Sequence, residues 1–238
     1  SAFKRRIYLR VSTPRASETN TRSPSSDFCR MVVEVGESSL RQEFWYRSHW
    51  IAPEADLADT DLYGADLLLT DLFGANLSGA DLQSANLATS DLSGADLFRA
   101  DLSAINGVAA WFVCADLQGA DLGVANLMGA RLDGGCFVGA DLGGANLAGA
   151  SLQGANLTEA CLTGANLFRA NLEGANLRQV KSVGANYSDA NLRSVDLSGA
   201  DLYGACLFRT DLTGAVADQV TRWPDGFDPE AAGVAFED

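Results

Sequence analysis

Carboxylates dominate the side chains that could do chemistry in this chain: 31 Asp and Glu, against five Cys and one His in 238 residues. Five of them, Asp61, Asp81, Asp101, Asp121 and Asp141, recur at intervals of twenty. General acid–base catalysis needs a distinct carboxylate pair in a cleft, whereas these repeat one spacing along the sequence. Such a line of anions repels itself and suits a basic surface better than a reaction. His49 stands alone, which excludes a histidine-based triad and a multi-histidine metal site. Cys29, Cys114, Cys136, Cys161 and Cys206 show no metal-ligand spacing and read as free thiols of a reducing compartment. No Gly-rich phosphate loop followed by a helix occurs. These observations point to a protein that is not an enzyme, with no catalytic, cofactor or metal site.

The carboxylates sit inside a repeat. From Ala55 to Gly214 the phrase Ala-(Asp/Asn)-Leu-x-x recurs 32 times in unbroken register, with Leu at 27 of the 32 centres, from Leu57 to Leu212. Alternation sends Ala and Leu to one side of an extended segment and the polar residue to the other. The last two residues must then turn a corner. Gly holds the second of these in 17 of the 32 units, where a type II turn requires positive φ. One short side and one corner, repeated, make a square coil of twenty residues. Residues twenty apart should therefore stack, and the sequence supports this: Asn86, Asn106, Asn126, Asn146, Asn166 and Asn186 form an unbroken column suited to an amide hydrogen-bond ladder. The four cysteines of the array fall on four different faces of this square, poorly placed to pair.

Units such as Ala75-Asn76-Leu77-Ser78-Gly79 and Ala165-Asn166-Leu167-Phe168-Arg169 resemble the pentapeptide repeat family. The resemblance implies an all-β, right-handed quadrilateral parallel β-helix. Its 32 units would give eight coils, and a rod of roughly 38 Å at about 4.8 Å per coil. The motif is broken at Ile105-Asn106-Gly107 with Trp111-Phe112, at Cys136-Phe137, and at Lys181-Ser182 with Tyr187. Because the register survives, these read as repacked coils, the alternative being a pocket; an inward Ser182 should bond a neighbouring carbonyl. For the Asp column the family's DNA-gyrase-binding members imply imitation of a phosphate line; the competing reading is that short polar side chains bond the turn backbone. On the Asn face, Leu68, Leu69, Val108, Met128, Phe168 and Phe208 occupy outward corners as a discontinuous apolar strip suited to docking.

Charge divides the chain. Residues 1–54 carry nine basic and six acidic side chains, 55–214 seven against nineteen, and 215–238 one against six. An acidic rod repels phosphate, which argues against direct nucleic-acid or anionic-membrane binding, and no apolar run reaches the length of a membrane span. Residues 1–26 form a basic segment, either a flexible arm or a targeting remnant; the opening Ser1-Ala2-Phe3 resembles plastid leaders of algae with complex plastids. Residues 27–54 form an N-terminal cap, with a strand over Phe28–Val35 and a helix over Glu37–Trp50 that has Ser39 as N-cap and Leu40 and Phe44 on one face. Trp45, Trp50 and Ile51 are candidates to plug the open end of the solenoid. Residues 215–238 form a C-terminal cap and tail, with Trp223 and Phe227 as plug and Pro224 and Pro229 stopping the ladder; this tail resembles those of cyanobacterial members. The expected function is a rigid scaffold binding one or more proteins, in a plastid or a bacterial or cyanobacterial cytoplasm, as a monomer or end-to-end dimer; the alternative is a DNA-mimicking, topoisomerase-binding protein.

Overall fold

The computed structural model describes residues 44–46 and 49–236. Parallel β-bridges join residues twenty apart throughout the array: Asp56 to Asn76, Asp61 to Asp81, Asp66 to Asn86, Asp71 to Asp91, and so on up the rod. Four bridges per coil define a four-sided solenoid, as the twenty-residue columns predict. Each unit sends two backbone N–H groups toward the following coil and one back toward the preceding coil: Leu57 to Asn76 O and Asp59 to Ser78 O, against Asn76 to Ala55 O.

The corners are β-turns closed by a bond such as Ala65 N–H to Leu62 O at 3.0 Å. All 32 adopt positive φ at their second central residue, including fifteen where the residue is not glycine, such as Leu69 (59°), Thr89 (56°) and Val124 (51°). Glycine is thus favoured there rather than required: the bonds to the coils above and below hold other residues in a region that costs an L-residue roughly 1–2 kcal/mol.

Leu and Ala fill the interior, and the motif's exceptions compensate one another in volume. The aromatic centre Phe137 reaches over Gly135, where an added Cβ would lie 2.8 Å from the ring. At Gly107 the missing side chain's space is taken by Leu127 Cδ2, 2.9 Å from where a Cβ would stand, and by Ile105, while the next centre is the bulky, buried Phe112. Ser182 and Tyr187 form a second small–large pair, both fully buried. Their hydroxyls bond each other at 2.7 Å, so the partner of Ser182 is a phenol and not the expected carbonyl. Carbonyl bonding occurs instead where a hydroxyl replaces Ala, as in Ser90 Oγ to Leu87 O at 2.6 Å.

The N-terminal side corrects one expectation. Instead of a helix over Glu37–Trp50, its described part is an antiparallel hairpin of β1 (Phe44–Tyr46) and β2 (His49–Ile51), with Phe44 opposite Ile51 and Tyr46 opposite His49. Aromatic and β-branched residues crowd these two segments, and such residues favour a pleated surface over a helix. Ile51 is fully buried at the start of the core. The strand expected over Phe28–Val35, with Ser39, Leu40 and Cys29, lies outside the described residues.

At the other end the ladder runs past Gly214. Val216 bridges Asp196, and Arg222 bridges Asp201, a spacing of 21 that marks one extra residue. Then β3 (Val216–Ala217) pairs in parallel with β4 (Ala235–Phe236). Trp223 and Phe227 stack with ring centroids 5.3 Å apart and pack against the core, half-buried.

Candidate interaction surfaces

The outward polar position is built the same way on every face. An Asp or Asn Oδ1 accepts the backbone N–H two residues on, which ties the side chain to its own corner. In the Asp column Tyr63, Gln83, Ser103, Gly123 and Gly143 donate to Asp61, Asp81, Asp101, Asp121 and Asp141 at 2.8–3.1 Å. Consecutive members are bridge partners, so the solenoid does bring these five carboxylates into one line. The Asn column adds bonds between coils: Asn146 Nδ2 donates to Asn126 at 3.1 Å, Asn166 to Asn146 at 3.1 Å and Asn186 to Asn166 at 3.2 Å. Asn106 donates to Asn86 at 2.9 Å, and Asn86 to Asp66 at 2.8 Å.

The apolar strip is less continuous. Leu68, Leu69, Met128 and Phe208 are exposed, but Met128 stands three coils from Leu68, about 14 Å along the rod. Phe168 is half-buried, with the Arg169 guanidinium 4.8 Å from its ring centroid. Sequence reading by columns missed a different grouping. Tyr63, Leu68, Leu69 and Phe73 all belong to the first coil, on three successive corners, and are 47, 36, 57 and 50 % exposed. The signal was present in the corner residues read around a coil instead of along a face.

Charge is graded along the rod. Residues 55–134 carry twelve acidic and two basic side chains, and 135–214 seven and five. Ion pairs joining two described residues include Arg131–Asp133, Arg178–Asp196 at 3.0 Å and Arg209–Asp189 at 3.1 Å, in the half of the rod where the basic residues gather. The Asp196 carboxyl is pushed up by burial but held lower overall by the Ser198 hydroxyl and N–H and by Arg178. Hydrogen bonds from the Ser188 hydroxyl and the Phe208 N–H lower the exposed Cys206 thiol. No helix of the described residues is long and apolar enough to cross a membrane.

The family model for pentapeptide repeats matches residues 53–88, 75–106, 90–123, 125–164, 145–181 and 183–214. The chain belongs to the pentapeptide repeat family. With this the right-handed quadrilateral β-helix is the fold of the array. Among solved structures it is similar to trypsin-treated QnrB1, a plasmid-mediated fluoroquinolone resistance protein, at 20 % identity and TM-score 0.64 over 77 % of this chain and 90 % of that one, a likeness of fold alone. A pentapeptide repeat protein from Nostoc PCC 7120 is 34 % identical over 49 % of this chain and 84 % of its own, with TM-score 0.25. One from the Arabidopsis thaliana thylakoid lumen is 29 % identical over 50 % and 70 %, also with TM-score 0.25. No curated protein matches the chain.

Proposed function

We propose that this pentapeptide repeat protein is a non-enzymatic, rigid scaffold that binds or assembles other proteins through its outer faces. The observation that carries this reading is the filled interior. All of the array's Leu centres but the half-buried Leu207 are buried, and its Phe and Tyr centres are fully buried, so a partner meets only the outer surface, where Asp and Asn side chains are tied to their own corners. Preorganised side chains lose little entropy on binding, which favours recognition. The basic residues of 1–26 and the free thiols of Cys114, Cys136, Cys161 and Cys206 support a plastid or a bacterial or cyanobacterial cytoplasm. Capture of partners on the full chain from a native plastid or cyanobacterial extract tests the reading: photosynthetic or other assembly subunits are the expected result, and an extract that yields no protein above background overturns it.

A second reading, a DNA mimic that engages a topoisomerase, is favoured by the twelve-to-two excess of acids in the first four coils and by the Asp line within it. A supercoiling assay separates the two. Inhibition by the parent chain that is lost in Asp81→Asn/Asp101→Asn/Asp121→Asn establishes the mimic, whereas no inhibition by either protein leaves the scaffold.

A further inference from the structure

The collar of exposed apolar side chains on the first coil has no counterpart on its neighbour. The corners that carry Tyr63, Leu68 and Phe73 in coil one carry Gln83, Ala88 and Ser93 in coil two. Leu69 lies in the left-handed region at φ 59° with 57 % of its surface in water, so neither backbone ease nor burial within the coil explains a leucine there. The collar lies where the chain enters the solenoid, directly after β2.

We propose that the collar is the docking site for this chain's own segment Phe28–Val35. In an extended chain one side of that segment is wholly apolar, Cys29, Met31, Val33 and Val35, while the other mixes Arg30 and Glu34 with Phe28 and Val32, a pattern suited to burying one face. Eight residues, 36–43, separate it from Phe44, a tether that reaches at most about 29 Å, enough to turn back onto the coil that follows the hairpin. Tethering also gives the segment an effective concentration that a separate protein must exceed. Charge favours the same occupant. The chain ahead of it, residues 1–26, holds six basic side chains and one acidic, and the coils beneath it are the acidic half of the rod. Docked there, the segment would cover the apolar surface of the collar.

Hydrogen exchange on the full chain, followed by mass spectrometry, tests this against a Leu68→Ser/Phe73→Ser variant. Both residues are exposed, and the amides of coils three to eight report whether the variant keeps its fold. The parent should show residues 28–35 exchanging well below free-chain rates, independently of protein concentration. The variant should speed that exchange by about tenfold or more while leaving the later coils unchanged. Free-chain exchange at 28–35 in the parent overturns the proposal. So does protection that the variant leaves intact, which would place the segment elsewhere, and so does protection that grows with concentration, which would make a second copy the occupant.

Discussion

A phenol inside an aliphatic core titrates only at a cost. Burial pushes the Tyr187 hydroxyl from 10.0 up to about 12, opposed by its bond to Ser182. Because the folded value lies above the unfolded one, its contribution to stability is complete below pH 10 and is lost as pH rises toward 12, by roughly 2–3 kcal/mol. Denaturant titrations between pH 8 and 12 should show this decline in the parent and not in Tyr187→Phe. At neutral pH that variant should be about 1–3 kcal/mol less stable, because Ser182 loses its only described partner. The Asp column behaves differently. Asn at these positions keeps the Oδ1 that accepts the corner N–H, as Asn146 and Asn186 do, and adds an Nδ2 donor toward the coil before. The triple change to Asn at Asp81, Asp101 and Asp121 should therefore raise the thermal midpoint; a lower midpoint would show that the carboxylates make interactions an amide cannot replace.

At the scale of one coil, the corner and the centre make opposite demands. Val124 is a β-branched residue at φ 51°, 67 % exposed, so it carries left-handed strain with little burial in return. Val124→Gly should stabilise the rod by about 1 kcal/mol, a rise of roughly 2–4 °C in Tm by calorimetry. Leu142→Ala removes a fully buried centre and should cost about 2–5 kcal/mol, while Gln153→Ala at an outward corner should be near neutral. The coil was legible in the sequence because its period is enforced: a residue out of register would expose Leu and bury Asp, so the Asn126–Asn146 stack could be read from the spacing of twenty. The hairpin over Phe44–Ile51 was not legible, since it occurs once and offers no repeat to check it against. The sequence spacing of Leu40 and Phe44 mimicked a helical face, while the aromatics of the two strands favoured a pleated surface. Among the candidate surfaces the Asp line was visible as a column. The first-coil collar was hidden because its members share a layer, not a face.

Over the whole molecule, electrostatic balance shifts from one end to the other. The lowered carboxyls cluster at the C-terminal end: Asp196 as described, Asp211 through the Thr213 hydroxyl and N–H and Arg193, and Asp218 through the Gly199 N–H above all, with Thr221 and Val220. Their folded values lie below the ordinary 3.8, so the stability they lend is present at neutral pH and is lost as pH falls through those folded values. Since each coil leans mainly on its neighbours, acidification should fray the last coils before the middle ones, seen as early loss of amide protection around residues 196–222. The two-to-one imbalance of coil-to-coil bonds has a further result. Their dipoles do not cancel, as those of alternating antiparallel strands do, and add along the rod, leaving surplus amide hydrogens at the C-terminal end and surplus carbonyl oxygens at the N-terminal end. The solenoid is thereby an electrically polar fibre whose two ends accept different chemistry. Its tail already answers this, since Asp218 receives the Gly199 N–H at 3.0 Å, a carboxylate standing where the next turn of backbone would have supplied a carbonyl.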